Sequence, residues 1–282
     1  MSTPRTRREE LSVGDALGPY RLLELLGEGG MGVVFRATRE PGGETVALKV
    51  LRLELSEDDV YRRRFVHEAR SASAVRHPHL VPILDAGEQD DRPYLAVAYV
   101  RGRTLDDRIR SEGPLPLDDL LRLAGEIASA LDALHEAGIV HRDVKASNVL
   151  VRAEDEAALL TDFGLATGRA YTVLTKQGQV LGTIDYLAPE LIRGEPASGA
   201  SDLYAFGCVL FECAAGRPPF GGRSALQVGL AHLDEQPPDP AAERAEVAAL
   251  SGVLLAALDK DPAARPRSAT EYVDALRAAG AG

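Results

Sequence analysis

Tryptophan is absent from the 282-residue chain, and there are only two cysteines, two methionines and four lysines, at Lys49, Lys145, Lys176 and Lys260. Cys208 and Cys213 stand five apart in an apolar run, too few and too oddly spaced for a metal cluster or a disulfide framework. They read as reduced core residues. No uninterrupted apolar stretch reaches the length of a membrane span, because Glu212 breaks the best candidate, Tyr204 to Gly216. The charged opening MSTPRTRREE is followed by no apolar h-region, so no secretory signal is read there. Positive charge is also short: 32 Lys and Arg face 43 Asp and Glu, giving a formal net charge of -11. Such a field repels phosphate backbones and anionic lipid. Nucleic acid and membrane contacts are therefore not expected, and a cytoplasmic location is.

What remains is ordinary globular material, 45% hydrophobic and 27% charged, enough for one large domain or two modest ones. From Tyr20 to Val100 short runs such as YRLLELLG, GVVFRAT, TVALKVL and PYLAVAYV alternate with turn signals, which predicts a small antiparallel sheet. One helix interrupts it. Ser56 can cap, Glu57, Asp58 and Asp59 suit the positive N-terminal end, and Tyr61, Phe65, Ala69, Ala72 and Val75 recur at helical spacing until His77-Pro78. Beyond Val100 the chain turns helical. Leu117 to Ala137 carries Leu120, Ala124, Ile127, Leu131 and Leu134 on one stripe, with Gly138 as the stop. Ser201 to Ala215 is apolar nearly all round, which marks a buried helix. Further helices are expected near Ala245 to Leu258 and Ala269 to Ala279. The whole predicts a β-rich small lobe joined through about Ala98 to Arg103 to a larger α-rich lobe, and a cleft between lobes is a common ligand site.

Chemistry enters with GEGGMG, which places Gly27, Gly29 and Gly32 in a G-x-G-x-x-G pattern. In a dinucleotide fold the pattern opens a helix; here the β-branched GVVFRAT follows, so the loop joins two strands. Backbone N–H groups of such a flap can approach phosphates, and glycine removes the Cβ in their way. In VALKVL, alternation puts Ala47 and Lys49 on one strand face and Val46, Leu48 and Val50 on the other. Glu68 lies three residues after Phe65 and four before Ala72, on the inward stripe of the helix, where a carboxylate is costly unless a cation meets it. Lys49 is the expected partner.

Two short segments, HRDVKASN at 141–148 and DFG at 162–164, bring Asp143, Lys145, Asn148 and Asp162 together if the chain between them forms a hairpin. Mg²⁺ takes hard oxygens from a carboxylate, an amide carbonyl, phosphate and water. Asp162 and Asn148 can supply the protein's share, Asp143 can orient a hydroxyl nucleophile, and Lys145 can offset charge on the transferring group.

On these motifs, with APE at Ala188 to Glu190, the sequence resembles the eukaryotic-like (Hanks-type) bacterial serine/threonine protein kinases from about Tyr20 to the last helix. The resemblance implies an α+β, two-lobed protein kinase fold: a flexible tail at 1–19, an N-lobe at 20–97, a hinge and C-lobe at 98–282, and a single catalytic domain at 20–279. It implies ATP-dependent transfer of the γ-phosphoryl group to Ser or Thr hydroxyls of protein substrates in signalling. ATP and Mg²⁺ follow as cofactors, with Mn²⁺ as an alternative metal. It assigns Asp143, Lys145, Lys49 and Glu68 to catalysis and Asn148 and Asp162 to the metal. Nucleotide contacts fall to Gly27, Glu28, Gly29, Gly30, Met31, Gly32 and Lys49. Val34, Ala47 and Leu150 resemble the adenine sandwich, Val97 the gatekeeper, and Tyr99 and Val100 the hinge. Ala98 departs from the acidic residue common there, and Ala146 from the proline common after the catalytic-loop lysine. Glu190 is expected to meet Arg265, and Asp202 to anchor the catalytic-loop backbone. Lys145 together with Thr183 resembles the serine/threonine class. Thr175, then Thr172, are the expected activation-loop phosphosites, able to pair with Arg142 once modified, and homodimerisation for autophosphorylation fits the family. A pseudokinase scaffold and a small-molecule phosphotransferase stay open as alternatives.

Overall fold

The computed structural model describes residues 11–29, 32–52, 59–162, 184–242 and 244–281, with the side chains of 59–62 and 64 excepted. The chain divides into two compact units, Met1–Arg70 with Ile83–Tyr99, and Ser71–Pro82 with Val100–Gly282.

In the first unit the strands are β1 (Ala16–Leu17), β2 (Tyr20–Glu28), β3 (Gly32–Arg39), β4 (Glu44–Leu51), β5 (Ile83–Gln89) and β6 (Arg92–Ala98), and helix α1 (Asp59–Ala72) lies between β4 and β5 in sequence. They form an antiparallel sheet in the order β1-β2-β3-β4-β6-β5. Alternation along β4 works as the sequence requires: Val46, Leu48 and Val50 are buried with Leu22, Phe35, Ala37 and Tyr94, while Ala47 and Lys49 are half-buried on the other face. Tyr20 and Tyr94 meet edge-on in this core, ring centroids 5.5 Å apart, and both hydroxyls donate to Asp85 Oδ2.

Two features differ from the sequence reading. Strand β5 went unread because a register shift between Ile83 and Asp85 breaks its alternation. Helix α1 stops at Ala72 rather than running on through Val75; the chain tightens into three-residue turns, with Ala74 N–H donating to Ser71 O and Val75 N–H to Ala72 O. The cap assigned to Ser56 lies outside the described residues, as does the Tyr61 side chain.

The second unit contains β7 (Gly102–Thr104), α2 (Leu105–Glu112), α3 (Leu117–Glu136), β8 (Val149–Arg152), β9 (Ala158–Leu160), α4 (Pro189–Ile192), α5 (Gly199–Ala215), α6 (Ala225–Asp234), α7 (Ser251–Ala256) and α8 (Ala269–Gly280). Strands β7, β8 and β9 form a small antiparallel sheet in that order. The stripe Leu120, Ala124, Ile127, Leu131 and Leu134 of α3 is buried, and α3 packs against α5 and α8. Helix α5 is buried at every position from Ser201 to Ala214. A Ser198/Ser201 capping box starts it, and Gly216, left-handed at φ 77°, ends it. Gly207 lets its neighbour come close: a Cβ there would stand 2.8 Å from Ala257 Cβ.

Between Ala245 and Leu258 the expected single helix is split. Ala245–Leu250 is a 3₁₀ helix and α7 follows. The threefold period brings Val247 and Leu250, three apart, onto one side, and both are buried. No helix among the described residues is long and apolar enough to cross a membrane.

Candidate active site

In the β-rich unit the glycine loop does join two strands. Gly29 and Gly32 exchange backbone hydrogen bonds of 2.9 and 3.3 Å and close the turn; Gly30 and Met31 lie outside the described residues. Residues directly opposite in an antiparallel ladder share a face. Gly27 stands opposite Val34, Val34 opposite Lys49, and Ala47 opposite Val97. The assigned nucleotide-contact residues Gly27, Val34, Ala47, Lys49 and Val97 therefore line one face, the one turned away from the unit's buried core.

The loop glycines divide by what surrounds them. A Cβ on Gly27 or Gly29 would meet no described heavy atom within 4 Å, leaving room for something to approach the backbone. A Cβ on Gly32 would collide with Val50 O, so that glycine serves the strand pairing. One residue here escaped the sequence reading. Arg52 donates from Nη2 to Glu28 Oε1 at 2.8 Å and from Nε to Gly29 O at 2.9 Å, tethering the loop. Glu68 is half-buried on α1 beside buried Phe65 and Ala69, and Arg70 Nε reaches Ala86 O on β5 at 3.3 Å. Tyr99, at the end of this unit, is half-buried.

In the α-rich unit β8 and β9 form the hairpin that the spacing of the two motifs required. Lys145 Nζ donates to Asp143 Oδ2 at 2.8 Å. Asn148 Nδ2 donates to Asp143 O at 2.8 Å and to Oδ2 at 2.9 Å. The strand register adds Asp162, since Thr161 N–H donates to Asn148 O at 3.0 Å. Arg142 and Asp162 both sit at positive φ, 69° and 62°, a region that costs a non-glycine residue energy and clusters at functional sites. Leu150 on β8 and Val100 are half-buried. Phe163, Gly164, Thr172, Thr175 and Thr183 lie outside the described residues.

Asp202 supports the loop from below. Its two carboxylate oxygens accept from His141 N at 2.7 Å and Arg142 N at 2.8 Å, as expected. Sequence reasoning missed His135, whose Nε2 lies 2.8 Å from Asp202 Oδ2; the only hint was its place at the end of the α3 stripe. It also missed His141. That ring is fully buried, and its Nδ1 accepts from Asp143 N–H at 3.3 Å. The proton therefore sits on Nε2, which donates to Thr161 O at 3.0 Å. Burial holds this imidazole below its usual pKa, against the pull of Asp202, Asp143 and Asp162. A neutral histidine thus ties the 141–148 loop to Thr161, between β9 and Asp162. Glu190 meets Arg265 as expected.

The donor set suits a hard divalent cation. Asn148 spends its amide nitrogen on Asp143, which turns its carbonyl oxygen into the acceptor that remains, and Asp162 offers a carboxylate. Among the described residues no group of three or more His, Cys, Asp or Glu could hold a metal ion; with only Asn148 and Asp162 as protein donors, phosphate and water would fill the remaining positions of a hard cation's shell.

Comparison with known proteins agrees with this chemistry. The family described as protein kinase domain matches residues 20–275. The serine/threonine-protein kinase PknH of Mycobacterium bovis is 40% identical over 262 residues, which cover 93% of this chain and 44% of PknH. The serine/threonine-protein kinase PrkC of Bacillus subtilis is 40% identical over 255 residues, covering 90% of this chain and 39% of PrkC. The chain thus spans less than half the length of these curated relatives. The crystal structure of the Mycobacterium tuberculosis PknI kinase domain superposes with a TM-score of 0.79 at 32% identity, covering 96% of this chain and 100% of that one.

Proposed function

The chain belongs to the protein kinase domain family, and we propose that it transfers the γ-phosphoryl group of ATP to serine or threonine hydroxyls of protein substrates. The observation that carries this is Asp143 Oδ2 held by both Lys145 and Asn148, one hairpin away from Asp162. Asp143 orients the substrate hydroxyl and takes its proton as the new oxygen–phosphorus bond forms and the bond to the ADP oxygen breaks. Lys145, already bonded to that carboxylate, offsets charge on the transferring group. Asn148 Oδ1 and Asp162 would hold the divalent metal, Mg²⁺ or Mn²⁺, which when bound would neutralise phosphate charge.

Within the β-rich unit, Lys49 contacts the nucleotide phosphates and Glu68 is its partner. Gly27, Glu28, Gly29, Gly30, Met31 and Gly32 cover the phosphates. Val34, Ala47 and Val97 contact the adenine, Leu150 is assigned to the same contact, and the backbone groups of Tyr99 and Val100 read its edge. Open space above Gly27 and Gly29 supports this part of the reading. We place the reaction in the cytoplasm, where ATP is made and where two buried free thiols, Cys208 and Cys213, stay reduced. Autophosphorylation of one copy by another at Thr175 or Thr172 completes the proposal.

The test is incubation with γ-labelled ATP and Mg²⁺, followed by mass-spectrometric mapping, on the chain and on its Lys49→Ala variant. Label on Ser or Thr in the former and none in the latter is expected, with initial autophosphorylation second order in enzyme. An unlabelled chain and an unlabelled generic protein substrate would reject the reading.

A further inference from the structure

Strand β9 is only three residues long and, among the described residues, pairs with one strand, β8, through Leu160 opposite Val149, Leu159 opposite Leu150 and Ala158 opposite Val151. Along a strand the peptide groups point alternately to either edge. Ala157 O and Thr161 N–H bond toward β8, to Arg152 N and Asn148 O, so the groups of Ala158 and Leu160 point to the outer edge. Both residues are fully buried, and buried peptide groups without water need protein partners.

Those partners come from elsewhere in the same unit. Leu160 N–H donates to His79 O at 2.9 Å, and Leu160 O accepts from Val81 N–H at 2.9 Å, an isolated parallel bridge. At Ala158 side chains replace the missing strand. Its N–H donates to Glu126 Oε2 at 2.7 Å, and its carbonyl lies 2.9 Å from His79 Nδ1. A carbonyl only accepts, so the His79 proton is on Nδ1. Backbone and side-chain contacts hold the residue on each side in turn. His79 N–H donates to His77 Nδ1 at 3.2 Å, and Arg122 Nη1 steadies Glu126 at 3.1 Å.

We infer that His79, assisted by Glu126, is a positioning residue for Asp162. Its imidazole closes the outer edge of β9 and so fixes the register from which the chain passes through Thr161 to the strained backbone of Asp162. The inference rests on the reading of Asp162 as a metal-holding residue in the proposed phosphoryl transfer. Nothing in the local sequence around His79 announces this role, because the acceptor is 79 residues away.

The test compares His79→Asn with His79→Leu in the full chain. Asparagine can place an amide nitrogen at the same δ position as Nδ1, whereas leucine has only methyl groups there. In His79→Leu, amide exchange at Leu160 and Thr161 is expected to speed up about tenfold. The Mg²⁺ concentration for half-maximal rate should rise by roughly tenfold, the scale seen when an outer-shell partner of a metal site is lost. His79→Asn should restore both to within about twofold of the parent. Parent-like exchange at Leu160 and Thr161 in His79→Leu, or an unchanged Mg²⁺ requirement, would overturn the inference. Should His79→Leu not fold, Glu126→Leu, which offers no acceptor to the Ala158 N–H, probes the same edge. Faster exchange at Leu160 is expected there, and no change overturns the inference. Asp162→Asn with parent-like turnover and Mg²⁺ requirement would instead overturn the metal reading on which it rests, an outcome the exchange comparison does not depend on.

Discussion

Arg265 and Glu190 form a two-pronged ion pair, Nη1 to Oε1 and Nη2 to Oε2 both at 2.8 Å, with side chains 0% and 4% exposed. Burial, the largest single influence, pushes the Glu190 carboxyl up, but the hydrogen bonds from Arg265, its own backbone N–H and Ser201, with the Arg265 charge, together hold it below the usual carboxylate range. Ser201 Oγ also donates to Glu190 Oε1, and Arg265 reaches Ala200 O and Asp259 O, each at 2.8 Å. The pair therefore joins α4, α5 and the segment before α8. Arg265→Ala strands a buried carboxylate and should cost about 3–5 kcal/mol in denaturant unfolding. Arg265→Lys should recover only part of that, because an ammonium cannot reproduce the planar fork.

Asp143→Asn keeps the shape of the loop but removes the proton acceptor. Turnover should fall by about 10²–10⁴-fold, while nucleotide affinity measured by calorimetry stays close to the parent. Unchanged turnover would refute the role of Asp143.

Asp202→Ala should act at a distance. It leaves the N–H groups of His141 and Arg142 without acceptors, at about 1–3 kcal/mol each. It also releases the strained Arg142 backbone, so kcat should drop by about 10²-fold from misplacement of Asp143, with KM for ATP little altered. Steady-state kinetics beside a thermal melt separate the two effects.

Gly32→Ala and Gly29→Ala should fail differently. The added Cβ at Gly32 runs into the Val50 backbone, and loss of about 1–3 kcal/mol of stability is expected from the overpacking. The added Cβ at Gly29 meets open space; stability should stay within about 0.5 kcal/mol, and KM for ATP should rise instead.

Glu212 introduces a pH dependence into folding. Its carboxyl is 5% exposed, accepts from Tyr186 OH at 2.6 Å, and is pushed up by burial to about 7. A group whose folded pKa is raised contributes fully below its unfolded value, near 4.5, and loses that contribution as pH rises through about 7. Glu212→Gln, which can still accept from Tyr186, has no charge to bury. Its stability relative to the parent should therefore grow between pH 5 and pH 8, by on the order of 2–3 kcal/mol, in denaturant titrations at each pH. A constant difference would contradict the burial effect.

Much of the fold was legible because hydrophobic period is local. The alternation in VALKVL and the stripe of α3 each sit within a few residues of one another, so the buried faces of β4 and α3 could be read directly. Strand β5 could not, since a bulge erased its period, and the split at Ala245 to Leu258 could not, since a 3₁₀ turn and an α-turn bury similar residues. At the site, Asp143, Lys145, Asn148 and Asp162 were legible from residue type and spacing, as were Asp202 and the Glu190–Arg265 pair from family resemblance. His135, His141, Arg52 and His79 were not, since each acts through a bond whose partner no periodic pattern marks.

Chain order, residue chemistry and local period were enough to specify a β-rich stretch followed by an α-rich one and to mark candidate chemistry-bearing residues, because those properties reside in each segment before anything packs; the resemblance of the motifs supplied the kinase family. Folding in three dimensions settled which buried peptide groups lack a strand or helix partner and which distant side chains satisfy them. Asp202 reaches His141 across 61 positions and His79 reaches Ala158 across 79. The physical reason is that a hydrogen-bond donor is recruited by proximity after collapse, and proximity between remote positions is a property of the packed chain rather than of any stretch of it.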